Sequence, residues 1–353
     1  MYKEKILIGT DTTSGISPQI LDAILKASNT KTLPYGNDVF TEECKNIVKN
    51  IFEKSDLDII PMVSGTASNS LALSSFLRSY GSVICHSDAH INKDEGGAPE
   101  FFSGGGKLLT ISNPLGRINA LEILKKIDEI NFKRKSSPGI SGVSITQLAE
   151  NGTLYSQEEI GAISKICKKN NLYLHMDGAR FSNALVSQEF ISPAEATWKV
   201  GVDCLSLGAT KNGAMAAELI IFFNKKLASE AKNLIKQTGH VISKTRFVSA
   251  QLNAWFKEGL WLELAKLANK NALYLRNQLT EFNNFKILYP TEGNEVFVEM
   301  SSLSYEKILK LNIIPNLWNK IDKDHLVVRF VTSFETTTSQ IDEIIDRLKT
   351  YFN

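Results

Sequence analysis

The chain has 353 residues, 43% of them hydrophobic, and a formal net charge of +2. This length can bury a large core and predicts two domains rather than one. The near balance of charge argues against a nucleic-acid partner, and the lack of a long apolar run argues against a membrane-spanning segment. The four cysteines are scattered and match no zinc or disulfide pattern.

The N-terminal stretch MYKEKILIGT lacks the apolar segment and small-residue cleavage site of a secretory signal. We therefore expect a cytoplasmic, globular protein. Residues 1–40 are expected to pack against a small C-terminal domain or against a neighbouring subunit.

From about Thr41, short apolar runs alternate with helical patterns. TEECKNIVKNIFEK predicts a helix capped by Thr41, DIIPMVSG a buried strand ending in a polar turn, SNSLALSSFLRSY a helix and SVICHSD a strand. Further on, GVSITQL, LYLHMD and DCLSLG predict strands, and SQEEIGAISKICKKN predicts a helix. This alternation indicates an α/β domain with a mainly parallel sheet over residues 41–245.

The pattern changes after about Arg246. Two long helical patterns, FVSAQLNAWFKEGLWLELAKLANKNALYLRNQLTEF, precede the short strands EVFVEM and LVVRFV, and TTSQIDEIIDRLKTYF predicts a closing amphipathic helix. This order is typical of a smaller α+β domain over residues 246–353.

Polar residues follow three of the predicted strands, where ligands of open parallel sheets bind. Ser64, Gly65 and Thr66 open a helix whose N-terminus can hold a phosphate, although an ordinary helix cap uses the same residues. Asp177 can pair with a protonated pyridine nitrogen, or it can form an ordinary salt bridge on a loop. Lys211 can form a Schiff base, or it can be a solvent-exposed lysine of a turn. Together these are the groups that pyridoxal phosphate requires.

These residues lie in longer motifs, namely YGNDVFTEE, MVSGTASNSLAL, DAHINKDEGGAPEF, LAENGTLYSQEEI, LHMDGARFSNAL, WKVGVDCLSLGATKNG, GHVISKTRFVSAQL and VVRFVTSFETT. On them the sequence resembles the threonine aldolase and β-eliminating lyase family of fold-type-I pyridoxal-phosphate enzymes, and within it the bacterial low-specificity L-threonine aldolases. The pair HMDGAR and GATKNG is the most specific part. The resemblance implies a mainly parallel central sheet flanked by helices, a smaller α+β C-terminal domain, and no metal.

The resemblance implies roles for the cofactor residues. Lys211 would be the Schiff-base lysine and Asp177 the partner of the pyridine nitrogen, while the phosphate would lie at residues 64–66. His90 would cover the ring and serve as the candidate base, with Asp94 orienting it.

The resemblance also implies substrate residues. Arg329 would be the main clamp for the substrate carboxylate, because a guanidinium offers two parallel charged hydrogen bonds. Arg180 would contact the cofactor or the substrate carboxylate. Thr10, in GTDTT where the family usually reads like Ser-Asp-Asn, and Tyr35 would complete the substrate site. Lys244 and Arg246 would reach the phosphate of a neighbouring subunit.

The implied activity is cleavage of L-threonine, L-allo-threonine and related β-hydroxy-α-amino acids to glycine and an aldehyde, in a homodimer or homotetramer with the site at the subunit interface. The alternative with the same cofactor is β-elimination from another amino acid. Two further hypotheses are a non-enzymatic binding module and an enzyme for another phosphorylated ligand, which would leave the pairing of Asp177 with Lys211 unexplained.

Overall fold

A computed structural model describes residues 4–132, 139–188 and 191–352, so residues 1–3 of the predicted N-terminal segment lie outside it. The strands are β1 (Ile6–Leu7), β2 (Asp58–Met62), β3 (Gly81–His86), β4 (Lys107–Ile111), β5 (Gly139–Thr146), β6 (Tyr173–Gly178), β7 (Cys204–Gly208), β8 (Glu218–Phe222), β9 (Lys286–Ile287), β10 (Glu295–Ser301), β11 (Ile313–Ile314), β12 (Asn316–Lys320) and β13 (His325–Val331).

The α-helices are α1 (Pro18–Ser28), α2 (Val39–Ile51), α3 (Gly65–Ser74), α4 (His90–Lys93), α5 (Ala98–Phe102), α6 (Ala120–Phe132), α7 (Gln157–Lys169), α8 (Phe181–Ser187), α9 (Lys225–Leu234), α10 (Arg246–Phe256), α11 (Leu260–Leu279), α12 (Ser302–Lys310) and α13 (Thr338–Phe352). Short 3-10 helices cover Asp11–Thr13, Trp198–Val200, Thr210–Asn212 and Lys257–Gly259.

The large sheet has seven strands in the order β2-β8-β7-β6-β5-β3-β4. Strands β3 to β7 pair in parallel, whereas β8 runs antiparallel to both β7 and β2. Strands β3, β7 and β8 are buried along their whole length, which explains their mostly apolar sequences. The predicted α/β class with a mainly parallel sheet is confirmed.

The small sheet is antiparallel, in the order β12-β13-β10-β9. The N-terminal segment contributes to it indirectly, because β1 pairs in parallel with β11 and Ile8 is buried in the core of the small sheet. Helix α1 instead buries Ile20 in the core of the large sheet. The first 40 residues therefore contact both parts of the chain.

The change from one core to the other lies within α11. Leu260 and Leu264 pack with the large-sheet core, whereas Leu275 and Leu279 pack with the small-sheet core. Trp255 of α10, which the sequence analysis assigns to the C-terminal domain, is fully buried in the large-sheet core. The boundary at residue 246 stays a prediction, and α11 is the element that joins the two cores.

Several elements have no counterpart among the predicted ones, including α1, α6, α9, β4 and β8. Within the described residues, no helix is long and apolar enough to cross a membrane. All four cysteines are buried and free of disulfide bonds.

The predicted helix at TEECKNIVKNIFEK begins earlier than its sequence suggested. Helix α2 starts at Val39, and its cap is Asp38 rather than Thr41. One Asp38 carboxylate oxygen accepts from the Thr41 backbone N–H at 2.9 Å, and the other accepts from the Thr41 hydroxyl at 3.0 Å. Thr41 is the N3 residue that the cap satisfies, which accounts for the misplaced prediction.

Replacing the cap of α2 should destabilise the protein. Asp38→Ala is expected to lower the free energy of unfolding by about 1 kcal/mol, because the Thr41 backbone N–H loses its acceptor in a buried position. Asp38→Asn, which keeps an acceptor oxygen, is the control and should retain most of the stability. Urea unfolding of the two variants measures the difference; equal losses would show that the cap bond contributes nothing.

Candidate active site

The site lies at one edge of the large sheet. Strands β2, β6 and β7 all end at this edge, and the antiparallel strand β8 begins there. A cavity of about 200 Å³ opens at this edge. The predicted residues that line it are Ser64, Gly65, Thr66, His90, Asp177, Arg180 and Lys211. It is also lined by Thr12, Asn69, Glu95, Glu150 and Glu218.

The N-terminus of α3 forms one wall of the cavity. The Ser64 hydroxyl accepts a hydrogen bond from the Ala67 backbone N–H at 3.2 Å, so Ser64 is the cap of this helix. The first N–H groups of a helix lack partners within the helix, and the helix dipole favours an anion there. A Cβ placed on Gly65 would meet no atom within 4 Å, which leaves open space beside the backbone. The cap therefore leaves this helix terminus available to an anion.

A chain of hydrogen bonds connects His90 with Asp177. His90 Nδ1 lies 2.9 Å from Glu95 Oε1, and the same oxygen accepts from Asn69 Nδ2 at 2.8 Å. Asn69 Nδ2 donates its second hydrogen to Asp177 Oδ2, also at 2.8 Å. The other Asp177 oxygen accepts from the Ala179 backbone N–H at 3.0 Å. Asn69, Glu95 and Asp177 are buried, so this chain fixes all three carboxylate and amide planes.

The partner of His90 is therefore Glu95 and not Asp94, which the sequence analysis expected to orient it. Asp94 is the C-cap of the short helix α4 and is exposed. It lines a second cavity, which also contacts His90 and Lys211. The hydrogen bond to Glu95 raises the pKa of His90 above its usual value, and the charges of Asp177 and Glu150 act in the same direction against the effect of burial. With Nδ1 bound to a carboxylate, Nε2 is the nitrogen that can exchange a proton with a substrate.

Two further acids face Lys211. Burial raises the pKa of Glu150 to about 7, while the positive charge of Lys211 opposes the shift. Burial likewise raises the pKa of Glu218 to about 7, against the opposing effects of its hydrogen bond to Thr210 and the charge of Lys211. Glu218 is the first residue of β8, and it reaches the cavity because β8 is antiparallel to its neighbouring strands.

Arg180 and Arg329 lie beside this cavity and are joined by acids. Arg180 pairs with Asp11 at 2.8 Å and with Glu295 at 3.4 Å. Arg329 pairs with the same Glu295 oxygen at 3.1 Å. Both arginines line the second cavity, which has a volume of about 520 Å³. The two predicted substrate arginines are thus close together at one opening.

The other predicted site residues have different positions. Thr10 lines the second cavity, and its hydroxyl lies 2.9 Å from that of Thr12. Tyr35 lines neither cavity; it is 61% exposed, and its backbone N–H binds the carbonyl of Ser243. Arg246 Nε donates to the Ala27 carbonyl at 3.3 Å, away from both cavities of this chain.

Six polar residues in or beside the site were not found from the sequence: Asp11, Asn69, Glu95, Glu150, Glu218 and Glu295. Glu95 and Glu150 lie inside the motifs quoted for the family resemblance, so they carried a signal that was not used. Asn69 also lies inside a quoted motif, MVSGTASNSLAL, and its signal was likewise not used. Glu218 and Glu295 begin apolar strands, where an acid looks like the exposed end of a strand.

Comparisons with known proteins agree on one family. The family model described as beta-eliminating lyase matches residues 8–302. The chain is 42% identical over 303 residues to a low specificity L-threonine aldolase of Pseudomonas sp. (strain NCIMB 10558), covering 85% of each chain. It is 39% identical to the protein of that description from Pseudomonas aeruginosa, with the same coverage. Among solved structures, a Leishmania major threonine aldolase matches with a TM-score of 0.91 and 28% identity over 98% of both chains.

Removing the charge of Glu95 should lower the pKa of His90. A carboxylate stabilises the charged imidazolium, so its replacement in Glu95→Gln favours the neutral ring and moves the titration of His90 to lower pH. The measurement is an NMR titration of the histidine ring protons, with His90 assigned from a His90→Asn variant. Asp94→Asn removes a neighbouring charge that makes no hydrogen bond to His90, and it should change this pKa less. An equal effect of the two substitutions would contradict the assignment.

Proposed function

The chain belongs to the beta-eliminating lyase family, and we infer that it is a pyridoxal-phosphate-dependent lyase that cleaves L-threonine and L-allo-threonine to glycine and an aldehyde. The resemblance that the sequence indicated is confirmed. The observation that carries the inference is the cavity that brings Lys211, Asp177 and the N-terminus of α3 together. The named aldolase relatives favour this reaction over β-elimination from another amino acid.

The residues of the cavity fit pyridoxal phosphate. The free N–H groups at the start of α3 and the open space at Gly65 suit its phosphate. The buried Asp177 carboxylate is held in place by Asn69 and suits a protonated ring nitrogen. Lys211 carries the amine that bonds to the aldehyde of the cofactor. His90, which also lines the cavity, is the candidate for the ring face.

When bound, the cofactor supplies an electron-poor ring that accepts the electron pair left on Cα when the Cα–Cβ bond breaks. Asp177 keeps the proton on the ring nitrogen, because a buried carboxylate beside that nitrogen favours its charged form. His90 takes the proton of the β-hydroxyl group on Nε2, since Glu95 occupies Nδ1. Arg329 binds the substrate carboxylate and so fixes which bond at Cα is weakened.

A second copy of the chain is part of this proposal. Two exposed apolar residues lie next to the site residues in the chain: Val63, 46% exposed, directly precedes the start of α3, and Met215, 54% exposed, follows the turn of Lys211. Tyr35 and Val39, near the start of α2, are 61% and 67% exposed. Exposed large apolar side chains of this kind are found at interfaces. They support a homodimer or homotetramer in which Tyr35 and Arg246 serve the neighbouring site. The cytoplasmic location stays a prediction.

The reaction is tested by spectroscopy and product analysis together. Purified protein incubated with pyridoxal phosphate should gain a visible absorption band that borohydride removes, and it should release acetaldehyde and glycine from L-threonine. Lys211→Ala should lose both properties. His90→Asn should keep the band but cleave roughly 100- to 10,000-fold more slowly, because only base catalysis is lost.

The control for these variants is Lys199→Ala, which removes an exposed lysine paired with Glu53 and should change neither property. A wild-type protein that stays colourless with the cofactor contradicts the cofactor assignment. A coloured protein that forms pyruvate from L-cysteine, but no acetaldehyde from L-threonine, is a β-eliminating lyase instead.

The oligomer is tested by a charge in the exposed apolar group. Val39→Glu should shift the protein toward monomer in sedimentation velocity, because a buried unpaired carboxylate opposes association. Leu303→Glu, at a similarly exposed position of α12, is the matched control and should leave the association state unchanged. A wild-type protein that sediments as a monomer would contradict the shared site.

A further inference from the structure

One carboxylate lies between the two arginines of the substrate opening. Glu295 begins β10, and its side chain is fully covered. Its Oε1 atom is 3.4 Å from Arg180 Nη1 and 3.1 Å from Arg329 Nη1. Arg180 follows β6 of the large sheet, whereas Arg329 belongs to β13 of the small sheet. Glu295 therefore connects the two halves of the site through a single oxygen.

Arg180 is bound to a buried acid along one edge of its guanidinium. Its Nε and Nη2 atoms donate to the two oxygens of Asp11 at 2.8 and 3.2 Å, which is a bidentate pair. Its Nη1 atom faces Glu295. Asp11 is held in turn by Asn294, whose Nδ2 donates to it at 3.1 Å.

Arg329 differs because its Nε–Nη2 edge has no strong hydrogen-bond partner among the described residues. Its Nη1 atom donates to Glu295, and its Nη2 atom has only a long contact of 3.4 Å with the Gly9 carbonyl. Its Nε atom is buried and has no hydrogen-bond partner in the described part of the chain. The Trp318 ring covers one face of the guanidinium, with the Arg329 Cζ atom 4.7 Å from the ring centroid. The Nε–Nη2 edge is the one that can take a carboxylate bidentately.

We propose that Glu295, which also faces Arg180, is a positioning residue that holds the Arg329 guanidinium with its Nε–Nη2 edge left for the substrate carboxylate. This assignment rests on the proposed function, in which Arg329 is the clamp.

The charges of the group support this assignment. Glu295 and Asp11 balance the charges of the two arginines. Both oxygens of Asp11, however, accept hydrogen bonds from Arg180. Glu295 is shared, and its second oxygen has no hydrogen-bond partner among the described residues. Arg329 therefore keeps much of its positive charge unpaired beside a cavity that also contacts Lys211. A bound carboxylate would complete the set of hydrogen bonds.

The experiment compares Glu295→Gln with Glu299→Gln in the cofactor-loaded protein. Both residues lie on β10, but Glu299 pairs with the exposed Lys286 and is the matched control. Binding of glycine and of glycinamide is measured from the change in the cofactor spectrum, and kcat and KM are measured with L-threonine. Glycinamide lacks the carboxylate, so the ratio of the two dissociation constants reports on the clamp alone.

Glu295→Gln is expected to raise the KM for L-threonine and the dissociation constant of glycine by roughly 10- to 100-fold, because a charged hydrogen bond that orients Arg329 is lost. Binding of glycinamide and kcat should change much less, and Glu299→Gln should match the wild type. Glu295→Asp keeps the negative charge on a shorter side chain. The ratio of its dissociation constants for glycine and glycinamide should lie between those of the wild type and Glu295→Gln.

Wild-type discrimination between glycine and glycinamide in Glu295→Gln overturns the assignment. If Glu295→Gln fails to fold, wild-type discrimination in a folded Glu295→Asp overturns it equally. A wild-type protein that binds glycine but does not cleave L-threonine contradicts the proposed reaction, while the discrimination ratios still decide the role of Glu295.

Discussion

The constraint on which this site depends is that buried charge must be compensated by charge or by hydrogen bonds. The carboxyl ends of the parallel strands bring Asp177 and Lys211 to one edge, and α3 adds the start of a helix. An unpaired charge would be costly there, so the acids and bases are connected in two groups. One group joins His90 to Asp177, and the other joins Asp11 to Arg329.

The two groups have different physical characters. The chain from His90 to Asp177 lies within the large-domain part of the chain and is closed by the neutral amide of Asn69. The arginine group crosses between the two sheets, as α11 does in the hydrophobic core. Helix α11 sets the coarse relation of the two cores, and the pairing of Arg180 with Glu295 adds a directional contact at the opening of the site.

Much of the fold followed from local patterns in the sequence. Strands β6 and β7 and helix α7 were predicted because apolar runs and helical periodicity are local signals. The cofactor residues followed from their places after strands and from the family resemblance. Glu95 was missed as the partner of His90, and Asn69 was missed altogether, because the partners that define their roles are set by tertiary contact. Asn69 and Asp177, for example, are 108 residues apart. The reversed direction of β8, which brings Glu218 to the site, was also not readable from its apolar sequence.

The amide of Asn69 has a consequence for what its position can tolerate. One nitrogen supplies both of the hydrogens that hold Glu95 and Asp177, so the group acts only as a donor between two acceptors. Aspartate has nearly the same shape, yet it would set three carboxylates in a row inside the protein. Leucine would fill a similar volume but would leave two buried carboxylates without this donor. Position 69 therefore requires a side chain that donates two hydrogen bonds, and side-chain volume alone does not satisfy it. Aspartate, which is closest to asparagine in shape, adds a third negative charge and is the poorest replacement.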